Sequence, residues 1–117
     1  TAAKLHKVNL FDPTVMDAET VLKMATIDGA KAIGLDKHIG SLEPGKQADV
    51  IIIDTDTPHL VPMYNPISHI TYAVQGSDVR EVMVAGRILV SNKNLLTIDL
   101  EDVLERLSRL SEVIKKK

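Results

Sequence analysis

Apolar positions recur at helical spacing near both ends of the chain and form solid or alternating runs in its middle. Ala2, Leu5 and Val8 fall three residues apart, so residues 1–10 read as the tail of a helix already under way, without an N-terminal cap of its own. Asp12-Pro13-Thr14 breaks it, since a residue before proline is biased out of the helical region. Asp17 reads as the N-cap of a long helix, with Glu19 adding negative charge in its first turn. Val21, Leu22, Met24 and Ala25 supply its apolar face. Asp28 then caps a shorter helix that carries Ala30, Ile33 and Leu35 and stops at Gly34.

The middle of the chain changes period. Glu43-Pro44-Gly45-Lys46 suits a type II turn, with proline presetting φ and glycine accepting a positive one. Val50-Ile51-Ile52-Ile53 follows, a run of β-branched residues that reads as a strand covered on both faces. Residues 55–68, about fourteen positions holding Pro58, Pro62 and Pro66, read as a long irregular loop. His69 to Val74 fits a short helix or a strand equally well. Gly76-Ser77-Asp78 is a turn. Residues 79–84 and 87–90 form a hairpin about Ala85-Gly86, and residues 91–94 make another turn before a short extended piece, 95–98. Asp99 caps a last helix whose Val103, Leu107, Leu110 and Ile114 share one face.

Composition narrows the function classes. The chain has 117 residues, 44% apolar and 26% charged, which is globular composition. A net charge of -2 gives no electrostatic case for nucleic acid or an anionic membrane. The basic run Lys115-Lys116-Lys117 reads as a solvated helix end. No apolar stretch approaches the roughly 20 residues of a membrane span, and no signal peptide is visible. There is no cysteine, which excludes disulfides and Cys-ligated zinc and agrees with a cytoplasmic location. Aromatic residues make up only 3%, so a self-contained core would have to be aliphatic.

Candidate chemistry is sparse. His6, His38, His59 and His69 form no His-x-His or His-Glu-x-x-His pattern, and zinc needs three or four ligands converging at about 2.0–2.3 Å. His59 and His69, beside the proline-rich loop, are the best placed of the four. Asp49, at the mouth of the first strand, invites a reading as a base. The structural alternative, which we favour, is that it accepts backbone N–H groups and fixes the 43–46 turn. Glu43 and Lys46 read as solvated turn residues. Gly40, Gly45 and Gly76 are single turn glycines, not a phosphate loop. Ser77-Asp78 has no positioned histidine, so a hydrolase triad has no support. Met16, Met24, Met63 and Met83 read as packing residues.

Three segments, in matching order and spacing, resemble the C-terminal part of the amidohydrolase superfamily: residues 18–35, residues 39–50 with the strand that follows, and residues 79–90 with the Val84-Ala85-Gly86-Arg87 hairpin. Between them, residues 58–66 (PHLVPMYNP) and 72–79 (YAVQGSDV) look like 5-methylthioadenosine/S-adenosylhomocysteine deaminases and chlorohydrolase-like enzymes. The resemblance implies an α/β architecture. Residues 1–38 would be terminal helices of a metal-bearing (β/α)8 barrel, residues 39–98 C-terminal strands of a composite β-sandwich, and residues 99–117 a closing helix.

It also implies a parent chemistry. A divalent metal, usually zinc, lowers the pKa of bound water, and the hydroxide displaces ammonia from the ring of an adenosine-type nucleoside. The family's metal and proton-transfer motifs all lie upstream of Thr1. The resemblance therefore assigns no catalytic, cofactor-binding or metal residue to this chain, and implies that the chain is inactive by itself and partners the remainder of a longer protein. Thr1, with no methionine before it, agrees with a start inside that protein. The run Val50–Ile53, without its usual neighbours, points to self-association into an oligomer. Two alternatives stay open: a non-catalytic α/β partner-binding module, and a superfamily member acting on another ring substrate by dechlorination or ring-amide hydrolysis.

Overall fold

A computed structural model describes residues 2–115 of the chain. Thr1, Lys116 and Lys117 lie outside the described residues, and with them most of the C-terminal basic run. Among the described residues five α-helices and four strands follow one another as α1 (Ala2–Leu10), α2 (Ala18–Ala25), α3 (Ile27–Ala32), β1 (Val50–Ile53), α4 (Pro66–Tyr72), β2 (Val79–Val84), β3 (Arg87–Ser91), β4 (Asn94–Leu95) and α5 (Leu100–Lys115).

The caps are largely those the sequence dictates. Asp17 accepts the N–H of Thr20 at 2.8 Å, and Glu19 pairs with Lys23 one turn on. Asp99 accepts the N–H of Asp102 at 3.1 Å and opens α5. Gly34, at φ +72°, ends α3. The 43–46 turn closes through Lys46 N–H to Glu43 C=O at 3.2 Å, with Gly45 at φ +93°.

Several expectations need correction. Asp28 does not cap α3. Thr26 occupies that position and turns its hydroxyl back onto the Leu22 carbonyl, while Asp28 lies inside the helix and pairs with Lys31. The first of the two helices is accordingly short. In α1 the buried residue is Ala3, and Leu5 and Val8 stay exposed. The irregular loop ends at Asn65, because Asn65 accepts the Ser68 N–H at 3.0 Å and Pro66 fits the first helical position, so 66–72 is helix.

The strands form one antiparallel sheet in the order β1-β2-β3-β4. Val50 pairs with Met83 and Ile52 with Glu81; a register shift then brings Ile53 opposite Val79. Both tight turns carry consecutive positive φ values, at Ala85-Gly86 and Asn92-Lys93, as two-residue hairpins require. The helical layer gathers on α2, which α1, α3 and α4 all contact. The Thr71 hydroxyl of α4 donates to the Ala18 carbonyl of α2 at 3.1 Å.

The described chain encloses very little. Ala3, Ala30 and Leu60 are its buried apolar residues. The radius of gyration is 18.6 Å, against about 13 Å for a compact domain of this size. The accessible surface is 9092 Å², whereas a folded monomer of 12.8 kDa exposes about 6,300 Å². The excess is apolar in character: Ile51 is 55% exposed in β1, and Leu100, Leu104, Leu107 and Leu110 line an open face of α5. The strand expected to be covered on both faces is therefore open within this chain. A β-branched run favours strand geometry by itself and does not guarantee cover on either face.

Candidate functional site

Among the described residues Asp78 is the buried charged one, 2% exposed. It ends a single 3-10 turn, Gly76–Asp78, at the foot of β2. Its Oδ2 accepts the Gln75 N–H at 2.8 Å and faces Nε2 of His59, also at 2.8 Å. The Gln75 N–H and the His59 ring, together with the positive charge of Lys93, hold the Asp78 carboxyl below the usual aspartate range. An ionised carboxylate only accepts, so Nε2 of His59 carries the proton. A histidine is thus positioned beside Asp78 after all. The nineteen-residue separation conceals it in the sequence. Asp78 occupies Nε2, and among the described residues no hydroxyl is hydrogen-bonded to the opposite ring nitrogen, Nδ1, so the pair fastens a loop and does not activate a nucleophile.

The other singled-out residues scatter. Asp49 is structural, with a different partner from the one expected: its Oδ1 accepts the Ala85 N–H at 2.7 Å across the sheet, at the hairpin and not at the 43–46 turn. His69 turns Nδ1 onto the Asn65 carbonyl at 2.9 Å, within its own helix. Lys46 is not solvated. Its side chain is 12% exposed and pairs with Glu43 at 3.5 Å. Ser41 donates to Glu43, which lowers the pKa of that carboxyl further together with Lys46. Among the described residues no three of His, Asp and Glu gather in a way that could hold a metal ion. None of their helices is long and apolar enough to cross a membrane.

The described residues also form concave surfaces, two of which border the sheet or the helices. A groove of about 520 Å³ runs between α2–α3 and the segment before β1, lined by Leu22, Ala30, Ile33, Ile39 and Leu42, with Asp49 at one end. Gly40, at φ +91°, forms a wall of it, and a Cβ there would lie 2.7 Å from that of Ala30. A second groove of about 250 Å³ lies on the sheet over Val50, Ile52, Met83 and Ile88. Both are lined mainly by apolar side chains.

Residues 1–89 match the amidohydrolase family. The chain belongs to that family.

Relatives within and around the family are far longer. The chain is 50% identical over 115 residues to a 5-methylthioadenosine/S-adenosylhomocysteine deaminase of Syntrophobacter fumaroxidans, a match spanning 98% of this chain and 26% of that one. It is 44% identical over 112 residues to a 5'-deoxyadenosine deaminase of Methanosarcina acetivorans, covering 96% and 26%. The chain thus spans about a quarter of the length of the curated relatives it matches.

Among solved structures, an adenosine deaminase from Xanthomonas campestris with bound zinc superposes on 99% of this chain with a TM-score of 0.89 at 32% identity, using 26% of its own length. A zinc complex of atrazine chlorohydrolase from Arthrobacter aurescens matches 81% of the chain with a TM-score of 0.71 at 27% identity. Those amidohydrolase-type structures carry zinc. The described residues here offer no cluster to fit it, so no chemical step is assigned to a metal held by this chain.

Proposed function

We propose that this chain is the C-terminal quarter of a metal-dependent amidohydrolase that deaminates an adenosine-type nucleoside, such as methylthioadenosine, 5'-deoxyadenosine or S-adenosylhomocysteine. The observation that carries the reading is the pairing of an unfilled shape with a fourfold longer likeness. The open arrangement of this chain superposes at a TM-score of 0.89 on a quarter of a zinc-bound adenosine deaminase. An excess of about 2,800 Å² of surface over a compact monomer is far more than the ~800 Å² per partner of an ordinary protein contact. It suits a piece cut from one hydrophobic core.

In this reading residues 1–38 are terminal helices of a (β/α)8 barrel, residues 39–98 the C-terminal strands of a composite β-sandwich, and residues 99–117 a closing helix. The zinc ligands and the proton-transfer residues belong to the rest of the protein, and this chain by itself is inactive. Its partner is that remainder, its substrate is a small nucleoside, and its location is the cytoplasm. Deamination is preferred to dechlorination because the two deaminase relatives are 50% and 44% identical, and the adenosine deaminase structure 32%, against 27% for the chlorohydrolase structure.

The test is to read the coding sequence in frame upstream of Thr1. The expected result is roughly three further lengths of this chain, in keeping with its 26% coverage, opening with a His-x-His pair. An upstream region lacking any His-x-His would overturn the reading and favour the partner-binding module.

A further inference from the structure

We propose that the His59–Asp78 pair is a latch that makes residues 54–78 one cooperative strap running from the sheet to the helical layer. The strap leaves the sheet at the end of β1 and returns at the start of β2. Asp78 holds both of its ends. Its carbonyl accepts the Asp54 N–H at 2.8 Å, where the chain has just left β1. Its carboxylate takes the Gln75 N–H and the His59 ring, one from each arm. Its own N–H donates to the Gln75 carbonyl at 3.0 Å. One buried residue therefore anchors the strap by main chain and side chain together.

The neighbours fit that role. Leu60, directly after His59, is fully buried, and its N–H donates to the Thr57 carbonyl at 3.0 Å. The latch presses this residue into place. The break in register between β1 and β2 falls at Ile52/Ile53, opposite Val79, beside the latch. Halfway along the strap, α4 bonds to α2 through Thr71 and Ala18. The strap is one link from the sheet through α4 to α2, beside the segment before β1 that sets Gly40 against Ala30, and the latch fixes the strap's two feet. The charged groups bearing on Asp78 are His59 from the strap and Lys93 from the β3–β4 turn, and both favour the ionised carboxylate that the latch needs. The device serves whatever substrate the protein takes.

Hydrogen exchange measured on the full-length protein, residue by residue, tests it with His59→Ala, His59→Gln and Asp78→Ala. A charge-assisted hydrogen bond lost from a cooperative unit accelerates exchange by about tenfold or more. In His59→Ala the amides of Asp54, Leu60, Gln75 and Val74 are expected to accelerate together by one factor, while Met83 and Val84 in the hairpin are unchanged. Gln, whose amide nitrogen can stand where Nε2 does, is expected to restore protection. Acceleration confined to residues 59–60, acceleration spread equally over the hairpin, or no rescue by Gln would each overturn the proposal. Should Asp78→Ala fail to fold, the two His59 variants still decide it. The readout is independent of activity, so a failure here is distinct from a failure of the deaminase reading.

Discussion

The carboxylate of Asp49 accepts the N–H of Ala85 at 2.7 Å, thirty-six residues further along the chain. Asp49 stands immediately before β1, and Ala85 is the first residue of the β2–β3 turn. The Gly86 N–H, next in line, donates to the Ala48 carbonyl at 3.0 Å. The turn that makes the hairpin is thereby tied to the strand beside it, and the three strands are locked in register at one end. Asp49→Ala is expected to lower stability by about 1 kcal/mol through the loss of this bond. Asp49→Asn, which keeps an acceptor, should cost less. Denaturant titration of the full-length protein measures both, and equal losses would show that the bond is not what matters.

Ala85 itself sits at φ +49°, a left-handed conformation that an alanine adopts at a cost. Ala85→Gly or Ala85→Asn is expected to stabilise the protein by about 1 kcal/mol, because either residue accepts that backbone more readily. The gain would appear as a raised denaturation midpoint with an unchanged slope.

Gly40 is the opposite case. It combines φ +91° with a wall made by Ala30 and Ile27, whose Cα would lie 3.0 Å from an added Cβ. Gly40→Ala is expected to destabilise by about 2 kcal/mol or more, by strain and overpacking together. Gly45, at φ +93° with open space around it, should respond to the same substitution only through its backbone. Comparing the two variants separates crowding from conformation.

Acid should loosen the structure in a defined window. Asp12, Asp17 and Asp78 each have a pKa depressed by hydrogen bonds: from Thr14, from Thr20, and from Gln75 with His59. A depressed carboxylate contributes stability that is present above its ordinary value of 3.8 and is lost as pH falls through the lower folded value. Unfolding followed against pH below 3.8 should therefore be shallower in Asp78→Asn than in the parent protein. An unchanged pH profile would mean that Asp78 is not ionised in the fold.

The free edge of β1 and its exposed isoleucines predict behaviour for this chain apart from a larger body. It should self-associate with rising concentration, and Ile52→Lys should reduce that association by placing a charge on the open strand. Sedimentation measures both. A monomer at all concentrations would contradict the expectation.

What could be read from the sequence was what neighbours in sequence decide. The Asp17 and Asp99 caps, the 43–46 turn and the Ala85-Gly86 hairpin each depend on a few adjacent residues. Thr26 holds the cap position in place of Asp28 through its main chain, its carbonyl accepting the Ala30 N–H at 3.0 Å with no side-chain cap bond, which the preference for aspartate does not reveal. His59 and Asp49 have partners nineteen and thirty-six residues away, and only the sheet brings those together. The spacing of Gln75 and Asp78, reciprocally bonded about the 3-10 turn, was a signal for a fixed Asp78. Nothing local pointed to His59. The Val50–Ile53 run marked a strand, but the cover expected on both of its faces is not present among the described residues, where Ile51 and Ile52 are exposed.

We infer that catalysis belongs to a protein of which this chain is about one quarter. This is tested most directly by ammonia release from S-adenosylhomocysteine and 5'-deoxyadenosine, assayed in parallel with the zinc-loaded product of the whole gene and with the 117-residue chain. The whole gene product is predicted to release ammonia and the chain to release none. Ammonia release by the chain at a rate matching the whole product, or none from either, would contradict the account.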